Sequence, residues 1–242
     1  MWWGYEMHLR KITLFPEKYP SGDCYPFNLP NLNTTRTITF DHPITFFVGE
    51  NGTGKSTLLT AIAYQCGIHI WEPEEGRRVQ FNKYEHELYK YISVEWADGV
   101  VPGSFFSSAI FEYFANILDD WAFASPKTLD YFGGKSLMVQ SHGQCHMSYF
   151  ESRYKLKGLY LLDEPENALS PKTQLQFLSL LKAMTEKGHA QFIIATHSPI
   201  LLAAKNSSIY SFDYSPIQQI GYEDSSHYQI YKEFLNNRDK FL

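Results

Sequence analysis

The sequence predicts an α/β fold with a largely parallel central sheet. Three short apolar runs are typical of buried strands, and each ends in a glycine-rich or polar stretch: Ile44–Val48, residues 158–162 and residues 191–196. Segments with helical apolar spacing, residues 57–66 and 173–184, follow the first two runs. Strands that alternate with helices favour parallel pairing, because each crossover helix returns the chain to the same edge of the sheet.

The remaining elements follow from the same patterns. Residues 9–15 and 36–40 are predicted strands that form an antiparallel part before the central sheet. Residues 16–30 contain four prolines and are expected to form a loop. Further predictions are a turn at 100–104, helices at 107–120, 200–204 and 228–236, and a strand at 208–212.

Length and composition favour a single domain, 1–242, with an inserted lobe. The chain has 242 residues, 44% hydrophobic and 19% charged, which is typical of a globular protein with a sizeable core. We expect a core formed by residues 1–67 and 158–242, interrupted by a mainly helical lobe at 68–157. The net charge of the whole chain is −5, which argues against a surface that binds nucleic acid over its full extent, although a local basic patch is compatible with this charge.

The cysteines and the apolar runs indicate the cytoplasm. The three cysteines, Cys24, Cys66 and Cys145, show no paired spacing, as expected in a reducing compartment. No apolar run approaches the roughly 18 residues needed to cross a bilayer. The first eight residues lack the basic start and apolar centre of a signal peptide.

A phosphate-binding loop follows the first buried strand. Residues 49–56 read Gly-Glu-Asn-Gly-Thr-Gly-Lys-Ser and fit the pattern G-x-x-x-x-G-K-[ST]. The glycines let consecutive N–H groups point at an anion, Lys55 can reach the β- and γ-phosphates, and the Ser56 hydroxyl can ligate Mg²⁺. The predicted nucleotide-binding residues are Asn51, Gly52, Thr53, Gly54, Lys55, Ser56 and Thr57.

Two further strand ends carry groups suited to phosphate chemistry. The run at 158–162 delivers Asp163 and Glu164, of which Asp163 can hold Mg²⁺ and Glu164 can polarise an attacking water. The run at 191–196 is followed by His197, which can hydrogen-bond a phosphate or the water. Because the carboxyl ends of parallel strands line one crevice, we expect these groups to meet the loop.

Two other groups of residues are weaker candidates. His142, Cys145 and His146 suggest a metal site, but no fourth ligand has suitable spacing, so we predict none there. The aromatic residues at 19, 25 and 27 can stack on an adenine ring, although core packing is the more ordinary role of such residues.

The set of motifs resembles the ABC-type ATPase superfamily. In chain order it has the P-loop at 49–56, the signature Ser141-His142-Gly143-Gln144, the Asp163-Glu164 strand end, a D-loop at 167–170 and a switch histidine, His197. It is similar to small stand-alone AAA/ABC-like ATPases related to chromosome-maintenance, DNA-repair and OLD-type ATPases. Transporter subunits usually have glycine where His142 stands, and the Q-loop stays unassigned between Gln80 and residues 104–108.

The resemblance implies a P-loop NTPase fold and an ATP-sandwiched homodimer. Each ATP would lie between one P-loop and the partner's Ser141, His142, Gly143 and Gln144. The implied reaction is ATP + H₂O → ADP + phosphate, with Glu164, His197 and Lys55 as catalytic residues and Ser56 and Asp163 as Mg²⁺ ligands.

Three functions fit these expectations. The first is an ATPase whose dimerisation drives a partner that acts on DNA, in repair or phage defence. The alternatives are the nucleotide-binding subunit of an ABC transporter and an ATP-dependent regulatory scaffold. The Ser141-His142-Gly143 signature and the Thr-His-Ser-Pro stretch at 196–199 favour the first.

Overall fold

The computed structural model describes residues 7–71, 82–125, 127, 129–130 and 142–242, and of His142 only the backbone. Its strands are β1 (Leu9–Leu14), β2 (Thr37–Thr39), β3 (Ile44–Val48), β4 (Ile92–Trp96), β5 (Gly103–Ser107), β6 (Gly158–Asp163), β7 (Ala190–Ala195), β8 (Ser207–Ser211) and β9 (Gln218–Ile220). Its α-helices are α1 (Pro30–Thr34), α2 (Lys55–Gln65), α3 (Phe111–Ala124), α4 (His142–Arg153), α5 (Pro171–Glu186), α6 (Pro199–Leu202) and α7 (Ser226–Asn236).

A six-stranded sheet in the order β5-β6-β7-β3-β8-β9 forms the centre of the molecule. Its first five strands are parallel and β9 is antiparallel to β8, so the predicted parallel sheet is confirmed. A second sheet, β2-β1-β4, is entirely antiparallel and confirms the predicted N-terminal β part.

The central sheet separates two apolar clusters. Adjacent residues of β3 point in opposite directions, as in any strand, and both faces are covered. Phe47 packs with β1 and α2 in one cluster, whereas Phe46 packs with α4 and α5 in the other. Both rings are fully buried. Burial on both faces explains why β3, β6 and β7 are continuous apolar runs rather than alternating ones.

The predicted turn at 100–104 is wrong, because β5 begins at Gly103 and pairs with Leu159 of β6. A Cβ atom at Gly103 would lie 2.6 Å from the Leu159 carbonyl oxygen and 2.4 Å from the Ile68 side chain. The glycine therefore allows a close approach of backbones within a strand, which a Pro-Gly pair in the sequence does not distinguish from a turn.

The predicted lobe at 68–157 contributes strands to both sheets. Strand β4 pairs with β1, and β5 forms the edge of the central sheet beside β6. In the described part of the range, the α-helices are α3 and α4. The division into core and lobe stays a prediction.

The predicted proline-rich loop at 16–30 leads into helix α1. This helix begins at Pro30 because proline suits the first helical position.

Candidate nucleotide site

The P-loop lies between β3 and α2 and carries its lysine in a fixed position. Nζ of Lys55 donates hydrogen bonds to the carbonyl oxygens of Gly49 (2.7 Å) and Glu50 (2.9 Å). The residue is only 4% exposed, and burial of its ammonium group lowers its pKa. The nearby carboxylates of Glu164, Asp213 and Asp163 oppose that shift. The loop thus holds a desolvated cation among backbone dipoles, which favours binding of an anion.

Contacts from outside the P-loop hold its shape. Nδ2 of the buried Asn31 side chain donates to the carbonyl oxygens of Thr53 and Phe212, each at 2.8 Å. Oδ1 of Asp213 accepts a hydrogen bond from the Glu50 amide at 2.8 Å. Gly54 has φ +94°, and a Cβ there would lie 2.7 Å from the Leu29 side chain. Its backbone angle therefore favours glycine, and a larger residue would also displace the end of the Leu29 side chain.

Ser56 and Asp163 form a pair of oxygen ligands between the P-loop and β6. The Ser56 hydroxyl donates to Oδ1 of Asp163 at 2.8 Å. Burial raises the pKa of Asp163 to about 6, although the Ser56 hydroxyl and Lys55 act in the opposite direction. A hydroxyl and a partly desolvated carboxylate side by side are hard oxygen donors, which suits Mg²⁺. The residues therefore fit the predicted metal.

Glu164 occupies a strained position directly after β6. Its backbone has φ +47°, a left-handed conformation that costs a non-glycine residue roughly 1 kcal/mol or more. The Ser108 hydroxyl donates to its carbonyl oxygen at 2.7 Å, and its amide donates to the Ala195 carbonyl at 2.9 Å. Nδ2 of Asn167 donates to its Oε2 at 2.8 Å. These bonds direct the carboxylate toward the P-loop, where its negative charge raises the pKa of Lys55.

His197 follows β7 and faces Glu164. Its Nε2 lies 3.5 Å from Oε1 of Glu164 and is buried, with no hydrogen-bond partner in the part of the chain that the structure describes. Its amide donates to Oε1 of Glu166 at 2.6 Å, and its Nδ1 lies 2.9 Å from Nε2 of His227 on α7. Burial lowers the pKa of His197, and the Lys55 ammonium adds to the shift.

The signature motif is only partly described. Ser141, like Gln80, lies outside the described residues, and α4 begins at His142. Gly143 is partly buried, with a Cβ position 3.2 Å from the Ala168 carbonyl oxygen, and Gln144 is exposed. The predicted contact of this segment with a partner's nucleotide stays a prediction.

Cys145 and His146, weighed above as metal ligands, point into the apolar interior. Both are buried, and the His146 ring packs edge-on against Phe106 (5.1 Å between ring centroids) and Phe111 (4.3 Å). Burial raises the pKa of the Cys145 thiol to about 11. Within the described residues, no cluster of three or more His, Cys, Asp or Glu side chains has the geometry of a metal site.

The three aromatic candidates for adenine stacking separate by burial. Phe27 is fully buried and its ring centroid lies 4.7 Å from that of Tyr19, so both belong to the core side of the molecule. Tyr25 is 37% exposed, and its hydroxyl contacts the hydroxyl of Thr57 at the start of α2. It also lines a small cavity of about 160 Å³ beside Ser56. Tyr25 is therefore the one of the three that can reach a nucleotide.

Four residues that shape this site have no role assigned by the sequence motifs: Asn31, Asp213, Glu166 and His227. Asp213 carries a recognisable signal, since it is an acidic residue just beyond the carboxyl end of the predicted strand at 208–212. Glu166 belongs to the Asp-Glu-Pro-Glu stretch after β6. Asn31 and His227 have no local signal, because their contacts join segments that are far apart in the chain.

The strand order and the site define a P-loop NTPase with an ABC-ATPase-like fold. Two family models match separate parts of the chain: "AAA domain" over residues 28–95, and "AAA domain, putative AbiEii toxin, Type IV TA system" over residues 144–203. Together with the fold, they place the chain in the ABC/AAA-like ATPase superfamily.

Known proteins similar to this chain include subunits of import or transport complexes and an SmcHead. The thiamine import ATP-binding protein ThiQ of Haemophilus influenzae is 25% identical over 191 residues, which cover 72% of this chain and 84% of that protein. The structure of cbiO1 from Clostridium perfringens, part of the ABC transporter complex cbiONQ, is 16% identical with a TM-score of 0.52, covering 97% of this chain and 98% of that one.

The SmcHead structure was solved with the C-winged helix domain of ScpA. It is 14% identical with a TM-score of 0.54, covering 89% of this chain and 98% of that one. At these identities both structural likenesses describe the fold. None of the helices in the described ranges is long and apolar enough to span a bilayer.

Proposed function

We propose that this chain hydrolyses ATP at the site formed by the P-loop and the ends of β6 and β7. The observation that carries the proposal is the 2.8 Å contact between Ser56 and Asp163, which joins the loop to the strand that bears Glu164. Lys55, the two carboxylates and His197 would then act on one bound triphosphate, as the chemistry of phosphoryl transfer to water requires.

Each side chain has a role that its geometry supports. Lys55 and the loop amides would neutralise the β- and γ-phosphates, and Glu164 would orient and polarise the attacking water. His197 would donate from its buried Nε2 to the γ-phosphate or to the water. Ser56 and Asp163 would hold Mg²⁺, which neutralises developing charge on the phosphate oxygens when it is bound.

We further propose that two copies of the chain enclose the nucleotides. A single P-loop leaves one face of the γ-phosphate open to solvent, and a second set of N–H and hydroxyl donors would close it. In the proposed dimer, the segment at the start of α4 that contains Gly143 and Gln144 would supply that set. The three cysteines form no disulfide, in keeping with a cytoplasmic location.

For the biological role we favour an ATPase that drives a partner protein acting on DNA. The histidine at position 142, where transporter subunits usually have glycine, supports it, whereas the similarity to ThiQ supports the alternative of a transporter subunit. A regulatory scaffold with slow turnover is the third option. Stimulation of ATP hydrolysis by duplex DNA would support the first role, and co-purification with a membrane permease would support the second.

The test of hydrolysis and dimerisation is Glu164→Gln, which keeps the size of the side chain and removes its charge. We expect it to bind ATP normally, to lower kcat by about 100-fold or more, and to elute as a dimer in size-exclusion chromatography with ATP and Mg²⁺. The control is Glu223→Gln, a substitution at an exposed residue before α7. A Glu164→Gln protein with normal turnover would refute the assigned role, and one that stays monomeric with ATP bound would refute the dimer.

A further inference from the structure

His227 of α7 contacts the proposed switch histidine and belongs to none of the ATPase motifs. Its Nε2 lies 2.9 Å from Nδ1 of His197, a distance that requires one proton between the two nitrogens. On the basis of the proposed ATP hydrolysis, we propose that His227 is a positioning residue that keeps the proton of His197 on Nε2, facing the nucleotide.

The direction of this hydrogen bond follows from the groups around His197. If His197 donated from Nδ1, its Nε2 would carry a lone pair and would face the Glu164 carboxylate oxygen at 3.5 Å. Two acceptors would then oppose each other in a buried site, which is unfavourable. If His227 donates instead, Nε2 of His197 carries the proton and faces an acceptor. In the second arrangement, neither contact opposes two acceptors.

The opposite nitrogen of His227 is compatible with this arrangement. When His227 donates from Nε2, its Nδ1 is an acceptor, and the Ser226 hydroxyl lies 3.5 Å from it. The start of α7 is also held firmly. The fully buried Ser225 caps the helix by accepting from the Tyr228 amide at 3.3 Å, and the rings of Tyr228 and Tyr222 pack 4.6 Å apart. The donor is therefore presented from a fixed backbone.

Burial favours the neutral form of both histidines. Burial lowers the pKa of both histidines, and Lys55 lowers both further. The carboxylates of Glu50 and Glu164 act in the opposite direction on His197, and those of Glu50 and Asp213 do so on His227. In a neutral pair each ring carries one proton, and only one of the two lies between Nδ1 of His197 and Nε2 of His227. When His227 donates that proton, His197 must carry its own proton on Nε2.

The consequence concerns turnover rather than binding. A γ-phosphate carries only acceptors, so His197 can contact it through Nε2 only in the tautomer that His227 maintains. Without that donor, a share of His197 would adopt the other tautomer and present a lone pair to the phosphate. Affinity for ATP depends mainly on the P-loop and would change little.

The experiment compares two substitutions of His227 with similar volume. His227→Met removes the donor, whereas His227→Gln places an amide N–H near the position of Nε2. We expect His227→Met to lower kcat about tenfold with KM and ATP affinity within about twofold, and His227→Gln to recover at least half of wild-type kcat. The matched control is Gln229→Met, at an exposed position of the same helix, which we expect to leave kcat unchanged.

A second measurement keeps the proposal separate from the proposed function. The ¹⁵N chemical shifts of the imidazole nitrogens report which one carries the proton, with or without turnover. We expect a protonated Nε2 at His197 in the wild type and in His227→Gln, and a mixture of tautomers in His227→Met. A bare Nε2 in the wild type, or equal kcat in the Met and Gln variants, would overturn the proposal. A wild type that neither binds nor hydrolyses ATP would overturn the proposed function instead.

Discussion

The P-loop and the ends of β6 and β7 meet through the contact between Ser56 and Asp163, but their charged groups have different surroundings. In the P-loop, the Lys55 ammonium is already bound to two backbone carbonyl oxygens. The strand ends rely on side chains, and they keep an unpartnered buried atom, Nε2 of His197, within the described part of the structure. An unsatisfied polar atom of this kind is costly unless a ligand meets it.

This difference predicts that the P-loop determines binding affinity and that the strand ends determine the rate of the chemical step. A loop made of backbone donors is preorganised and loses little on binding, so it should determine affinity for the triphosphate. Side chains that are strained or desolvated before the ligand arrives should act mainly on the chemical step. Glu164 and its left-handed backbone belong to that second group. The following substitutions test this division, beginning with the largest expected effect.

Lys55→Ala should weaken ATP binding by about 100-fold or more, because it removes charge-assisted hydrogen bonds worth roughly 1.5–3 kcal/mol each. Isothermal titration calorimetry with ATP and Mg²⁺ measures the loss. The control is Lys205→Ala, an exposed residue that precedes β8 at the other end of the sheet. Unchanged affinity in Lys55→Ala would break the comparison, since the loop would then not be the part that binds.

Most of the fold could be predicted from the sequence, because its signals are local. Strand β3 has the predicted bounds, and close contacts join the P-loop to the end of β6 and the end of β6 to the residue after β7. The missed features depend on contacts between distant segments. Gly103 is a strand residue only because β6 approaches it, and His227 matters only because α7 packs beside β7. A single sequence carries no local trace of such contacts.

Asp163→Asn should stabilise the nucleotide-free protein. The pKa of Asp163 is raised from 3.8 to about 6, so the folded state holds the proton more tightly than the unfolded state. Protonation of Asp163 therefore contributes to the free energy of unfolding. This contribution is complete below about pH 4 and is lost as the pH rises through about 6. At pH 8, where Asp163 is ionised, replacing it by neutral asparagine should raise the free energy of unfolding by about 2 kcal/mol.

The pH dependence of this gain distinguishes desolvation from other causes. Urea unfolding without nucleotide should show the gain at pH 8 and roughly half of it at pH 5, where Asp163 is already largely protonated. Asp98→Asn, in an exposed turn, is the matched control. A loss of stability in Asp163→Asn would mean that its carboxylate supports the folded state, and the strand ends would then be no more strained than the loop.

The smallest effect is expected at Asn167, which orients Glu164 through a bond of 2.8 Å at the exposed side of the site. Asn167→Ala should lower kcat about threefold to tenfold, the value of one hydrogen bond to a charged group in partial contact with water, with ATP affinity unchanged. Steady-state kinetics with Asn236→Ala, at an exposed position of α7, as control measures it. If Asn167→Ala weakens ATP binding and leaves kcat intact, Asn167 belongs to the binding side of the crevice, and the division drawn between loop and strand ends fails at this residue.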